Sequence, residues 1–236
     1  MLMTIIKKYA LKYLKSIELS QGSSVNYNVI NNRKNSSFKC KIINSNVSFT
    51  TVDEGCIISD SKSYGDIRLG RFVTITGPGT VIKALYEYIT IGAFSSIGQN
   101  VCILDFNHDF NKMTCSFINH LIYKTSFTND IITKGPIIIE EDVFIGSNSI
   151  ILAGVSIGRG SIIGAGSIVT KNVPKYSIVA GNPAKIISKR FDDSMIEYLE
   201  NLKWWEWDIK KIKDNKDMFS VNLNDYRPDL LESIIN

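Results

Sequence analysis

The 236-residue chain holds two histidines, His108 and His120, and both fall in one stretch, "LDFNHDFNKMTCSFINHLIYKTSFTNDII". Imidazole is the side chain best suited to accept and donate a proton near neutral pH. His108 stands between Asn107 and Asp109, with Asp105 three residues before it. A carboxylate or a carbonyl on one ring nitrogen would fix the tautomer and leave the other nitrogen to take a proton from an incoming hydroxyl. His108 is therefore the candidate general base, with Asp105, Asn107 and Asp109 as candidate orienting residues. His120, among the apolar residues of "SFINHLIY", reads as a satisfied, partly buried group. Neither histidine accompanies a serine on a nucleophile elbow, which leaves covalent hydrolase chemistry without support.

Other chemistries are narrowed by composition. Cys40, Cys56, Cys102 and Cys115 form no C-x2-C pair and have no histidine at ligand spacing. Neither a zinc site nor a disulfide framework is expected, and reduced thiols in a cytoplasmic protein are the simplest reading. The net charge of +4 is dispersed except at the two ends. It suits an anionic small molecule or a membrane surface, and no basic run alternates with aromatics as a nucleic-acid platform would. The opening "MLMTIIKKYALKYLKSIEL" reads as an amphipathic helix, too short in apolar run to span a membrane and without a cleavage site. Its residues 1–16 either cap a domain or lie on anionic lipid at the inner face of the plasma membrane.

The elements that must position His108 are set by a period of six. Positions 139, 145, 151, 157, 163 and 169 read Ile, Ile, Ile, Ile, Ile and Val, with Gly146, Gly158 and Gly164 just after three of them. The step recurs as Ile91, Ile97 and Ile103, and more faintly as Leu69, Ile75 and Val81. Ordinary strands would not hold that phase, and a sustained hexapeptide repeat marks a parallel β-helix. Each hexapeptide gives one short strand and one corner, and three complete a triangular coil that stacks on the last through parallel hydrogen bonds. The expected fold is all-β: a left-handed parallel β-helix over 67–180, as in known hexapeptide folds. Residues 1–66 should hold the N-terminal helix and irregular opening coils or a cap. Pro174 and Pro183 end the pattern, and 181–236 should be a helical extension, with Met195, Leu199 and Leu202 near one face. The stretch 104–132 is too long for a corner and should project as a loop, where a rigid scaffold tends to carry its chemistry.

Four stretches make the chain resemble a hexapeptide-repeat acyltransferase, of the branch that includes xenobiotic acetyltransferases acting on chloramphenicol and streptogramins. They are "IGAFSSIG" at 91–98, the "NHD" around His108, the run from "VFIGSNS" to "GNPAKIISKRF" at 143–191, and "KWWEWDI" at 203–209. The resemblance implies a homotrimer that uses acetyl-coenzyme A, with active sites between subunits and His108 as the base that deprotonates an acceptor hydroxyl. The small corners at Ala153, Gly154, Ala165 and Gly166 would let the pantetheine arm approach, and Lys171, Lys185, Lys189 and Arg190 would supply cations for its phosphates. Trp204 and Trp205 read as structural anchors rather than a sugar platform.

The acceptor is less determined. Drug-modifying members continue past the histidine with a "YPF"-type stretch, whereas this chain has "NKMTCSFINHLIY". Relatives with the same core acetylate sugars of surface glycans, so a hydroxyl of a bacterial surface saccharide is the expected acceptor. Antibiotic O-acetylation is the alternative, with an amino sugar or serine as lesser ones and a noncatalytic β-helical binding module as a reading of another class.

Overall fold

Aliphatic residues spaced six apart can all point inward only if the chain turns a corner between them, and the molecule does so throughout. The computed structural model describes residues 17–25, 30–31, 36–225 and 228. The helix and membrane contact expected of residues 1–16 lie outside the described residues. The chain forms an all-β left-handed parallel β-solenoid followed by a helical segment.

Three interior ladders run along the stack, one per face. On the first, Ile42, Ile58, Ile75, Ile97, Ile145, Ile163 and Val179 are successive register partners. On the second the partners are Val47, Ser63, Ile82, Ile103, Ile151 and Val169. On the third they are Leu69, Ile91, Ile139, Ile157 and Val173. All are buried in one continuous core, apart from the buried Ser63. In the regular coils partners lie 18 positions apart, as residues 144 and 162, 150 and 168, and 138 and 156 show. β-Branched side chains suit such a narrow column because their rotamers are already restricted.

The sequence pattern drifts in two places. Val81 was expected inward, but Ile82 takes that position and Val81 is half-buried, because the turn at 77–80 adds one residue to the six-residue step. The described residues of the opening region form coils of the same stack: Cys40, Ile42, Val52, Cys56 and Ile58 are wholly buried in the same core, and strand Lys62–Leu69 spans residues 66 and 67. Its irregular look comes from strands Asn46–Val52, Lys62–Leu69 and Val81–Ile91, each of which bends over a corner and serves two faces. Gly65, at one of these bends, has φ +99°, and a Cβ there would stand 1.7 Å from the Ala84 carbonyl oxygen.

The helical extension packs on the corner between the third and first faces. Strand Ser177–Gly181 still joins the first face in parallel, then pairs antiparallel with strand Ala184–Lys189. Of the helices, α1 (Ile118–Leu121) lies in the excursion, while α2 (Asp193–Leu202) and α3 (Ile209–Asp214) form the tail. Asp192 caps α2 by accepting from the Met195 N–H at 2.8 Å, and Met195 and Leu199 bury against Tyr176. Phe38, Phe72, Phe94 and Trp204 make a run of ring contacts along the same corner. The buried Arg71 donates to the Trp205 carbonyl at 2.8 Å and to that of Trp207, while the Arg159 guanidinium lies 4.0 Å from the Trp205 ring centroid. Trp205 is thus buried as an anchor. Among the described residues no helix is long and apolar enough to cross a membrane.

Two glycine substitutions separate conformational strain from steric conflict. Gly65→Ala meets both and should lower the unfolding free energy by about 3 kcal/mol. Gly166→Ala, at φ +72° with open space around its Cβ direction, should cost only about 1 kcal/mol. Denaturant unfolding of the two variants checks the order.

Candidate active site

The coil stack is interrupted once on a large scale among the described residues, at the corner between the second and third faces. Thr90 pairs with Ile138, 48 positions later, where a regular coil takes 18. The excursion leaves after strand Cys102–Leu104 and returns through Ile131–Ile132, and its neck is a short antiparallel pair in which His108 faces Ile131 and Asn107 faces Ile132. His108 thus sits on paired backbone at the base of the excursion, with its side chain exposed.

The imidazole is oriented by a carbonyl. His108 Nδ1 lies 2.6 Å from the Cys115 main-chain oxygen. A carbonyl can only accept, so Nδ1 carries a proton, and in the neutral form of this tautomer the lone pair a general base needs lies on Nε2. The Phe117 ring packs on the imidazole at 4.4 Å between centroids. Both partners come from the far side of the excursion, which must fold for the ring to be set.

The orienting residues expected from sequence do other work. Asp105 is wholly buried, and its Oδ2 accepts the N–H groups of Tyr86 at 2.7 Å and Glu87 at 2.6 Å. Asp109 accepts from the Asn111 N–H at 3.0 Å and pairs with Lys112 at 3.5 Å. Asn107 contributes its backbone to the neck, its side chain exposed. Among the described residues it is the Cys115 carbonyl, not any of these three, that holds the ring. His120 is exposed rather than partly buried, with Nδ1 3.2 Å from the Thr125 carbonyl.

The excursion is held by a carboxylate that sequence reasoning passed over. Asp130, buried at the return, accepts from the Asn119 N–H at 3.1 Å, the Asn119 side-chain amide at 2.6 Å and the His120 N–H at 2.9 Å. Its main-chain oxygen accepts from the Asp109 N–H at 3.0 Å. Asp130 therefore anchors α1, and with it the preceding Phe117, to the neck that carries His108. Burial opposes its ionisation, but the Asn119 and His120 donors, with the Lys112 charge, outweigh burial and hold its carboxyl below the usual aspartate value. The available signal was its position, an acid immediately before the aliphatic pattern resumes.

The residues expected to hold a cofactor divide among separate places. Ala153, Gly154 and Lys171 lie at the corner that bears the excursion; Gly154 donates its N–H to the Gly135 carbonyl at 3.0 Å. Ala153 is buried, and a Cβ on Gly154 would come within 2.5 Å of the Lys134 carbonyl oxygen, so the chain itself uses their small size. Ala165 and Gly166 occupy the corner between the first and second faces, where Ala165 is exposed and Gly166 meets open space. Lys171 and Lys185 are exposed cations. Lys189 pairs with Asp193, and Arg190 is committed to Asp142 at 2.9 Å and the Gly160 carbonyl at 2.7 Å, so the latter serves the fold. Among the described residues no group of three or more His, Cys, Asp or Glu is placed to hold a metal ion, and the four cysteines are free thiols.

Because the Asp130 carboxyl is held below its ordinary value, its contribution is complete above the ordinary aspartate range and is lost as pH falls through the lowered value. Amide exchange in residues 107–132 should rise on acidification before the coils open, and Asp130→Ala should bring that rise to neutral pH. Exchange mass spectrometry across a pH series measures both.

Comparison with known proteins agrees with this architecture. The family model described as the hexapeptide repeat of succinyl-transferase matches residues 136–171. A probable macrolide acetyltransferase of Lysinibacillus sphaericus is 51% identical over 155 residues, covering 59% of this chain and 83% of the relative. A chloramphenicol acetyltransferase of Klebsiella aerogenes is 32% identical over 183 residues, covering 70% and 87%. With a chloramphenicol acetyltransferase of Agrobacterium fabrum identity is 37% over 133 residues, 54% of this chain, and the match spans 64% of that protein's length. Among solved structures, an N-acyltransferase from Bacillus cereus, in complex with dTDP and coenzyme A, aligns with a TM-score of 0.53 at 22% identity over 85% of this chain and 96% of that one, a likeness of fold. With the Klebsiella aerogenes and Lysinibacillus sphaericus relatives, 32% and 51% identical, each matched over more than four fifths of its length, and the repeat geometry in place, the chain belongs to the hexapeptide-repeat acyltransferases.

Proposed function

We propose that the protein is an acetyl-coenzyme A dependent O-acetyltransferase of hydroxylated antibiotics, with a macrolide as the first acceptor to try. The observation that carries the chemistry is the His108 ring, whose Nδ1 is committed to a carbonyl and whose Nε2 is left to act as base. In the reaction, Nε2 takes the proton of an acceptor hydroxyl as its oxygen attacks the thioester carbonyl. A tetrahedral oxyanion forms and is stabilised by a backbone N–H. It collapses by breaking the carbon–sulfur bond, and the departing thiolate takes the proton back from the imidazolium. Both substrates are held together, so proximity replaces an acyl-enzyme. The pantetheine arm runs past the open corner at Ala165 and Gly166, and Lys171 and Lys185 face its phosphates. The active unit is a homotrimer whose sites lie between subunits.

This reading takes the antibiotic alternative in preference to the surface saccharide expected from sequence. The excursion exposes Phe110, Met113, Leu121, Ile122 and Tyr123, an apolar rim that suits a large hydrophobic molecule better than a polar glycan. The macrolide and chloramphenicol relatives support the same choice.

Incubation with acetyl-coenzyme A and a panel of macrolides, chloramphenicol, streptogramins and oligosaccharides should add one acetyl group to an antibiotic, read by mass spectrometry. Acetylated oligosaccharide with no acetylated drug would reject the acceptor assignment. His108→Ala should lower turnover at least about 100-fold, and near-normal turnover would remove His108 from the role of base.

A further inference from the structure

The corner that carries the excursion has a second irregularity directly against it. Strand Val81–Ile91 holds extra residues where it bends, and its exposed Leu85 and Tyr86 bulge outward. The backbone N–H groups at this bulge point toward the next coil, at the place where the excursion departs. Asp105 fills that place. Its Oδ2 accepts the N–H groups of both Tyr86 and Glu87. Its main-chain oxygen accepts the Thr133 hydroxyl at 2.6 Å, and its N–H donates to the Lys83 carbonyl at 3.3 Å. Asp105 therefore joins three pieces of chain: the bulge of the preceding coil, the start of the excursion and its end.

We propose that Asp105 is a positioning residue for the acyl transfer, fixing the neck that carries His108 to the coil stack through the Tyr86 and Glu87 amides. This rests on the reading of His108 as the base. Among the described residues Asp105 hydrogen-bonds neither the imidazole nor Cys115 or Phe117; its effect is on where the whole neck stands. His108 lies three positions after Asp105, and the neck is closed by the His108–Ile131 pair on one side and the Asp105–Thr133 hydrogen bond on the other. A displacement of about 1 Å at the reacting group can cost about 100-fold in rate, so a neck loosened at its root loses turnover before it loses affinity.

The use of a carboxylate supports this role. Burying a polar group is unfavourable unless it is hydrogen-bonded, yet Asp105 is wholly buried and its Oδ1 has no partner among the described residues. A side chain retained on those terms is held for its other oxygen, which satisfies two adjacent amides that the bulge strips from the sheet ladder. No apolar residue at this position could accept from those amides, which would then be left unpaired.

The test compares Asp105→Ala and Asp105→Asn with the wild-type enzyme, reading steady-state kinetics and site-resolved amide exchange. Asp105→Ala should lower kcat by about 10- to 100-fold while KM for acetyl-coenzyme A stays within about threefold, and exchange at Glu87, His108 and Ile131 should accelerate. Asp105→Asn keeps an acceptor oxygen and should recover most of the lost kcat and protection, with a residual loss of about three- to tenfold. Full kcat in Asp105→Ala, or lost kcat with unchanged exchange at the His108–Ile131 pair, overturns the proposal. If Asp105→Ala fails to fold, Asp105→Asn decides alone: unchanged kcat and unchanged exchange overturn it. A wild-type protein inactive on every acceptor would sink the functional reading, while exchange at the neck would still show whether Asp105 anchors it.

Discussion

The molecule rests on the requirement that each coil stack on its neighbour with three inward side chains in register. Shifting one strand by a single residue would turn its apolar set outward, so the register of one coil fixes the next. The column from Ile42 to Val179 carries that constraint along the first face. Corners inherit it: a residue at one corner of a coil lies over the same corner of the coil below. The excursion therefore leaves and returns at a defined place, and the base it carries has a fixed relation to the corners beside it.

Charge and aromatic contacts then tie the outer elements to that frame. Arg159 joins Glu141 and Glu200 at 2.8 Å each and faces Trp205, while Arg190 joins Asp142, so the tail is fastened to two coils through partly buried ion pairs. Such pairs are useful because each partner satisfies the other where water is partly excluded; broken singly, they would leave a charge poorly solvated. The same logic sets Asp130 in the excursion, where amide donors replace water around a buried carboxylate.

The fold was largely legible because a six-residue period has few physical solutions. Ile139, Ile145, Ile151, Ile157, Ile163 and Val169 are all buried as their spacing required. Legibility failed where the chain changes step, at Val81 and in the opening coils, because a strand that bends over a corner hides its phase. The site was legible in part. His108 stood out by residue type and by its place in the interruption, whereas Cys115 acts through a backbone carbonyl, which no side-chain pattern reveals. Asp105 was visible as an acid near the base and Asp130 was passed over, and the partners of both are amides brought in from other segments. Only the folded neck shows that neither bonds to the imidazole.

One further consequence lies in how the stack ends. A parallel coil with free edge amides is a template for another copy, and a solenoid of identical coils could grow into a filament. Here the final strand, Ala184–Lys189, reverses direction and pairs antiparallel against Ser177–Gly181. With the exposed Lys185 along it, this hairpin closes that end of the first face with a strand of opposite polarity, where a further parallel coil would need a parallel edge.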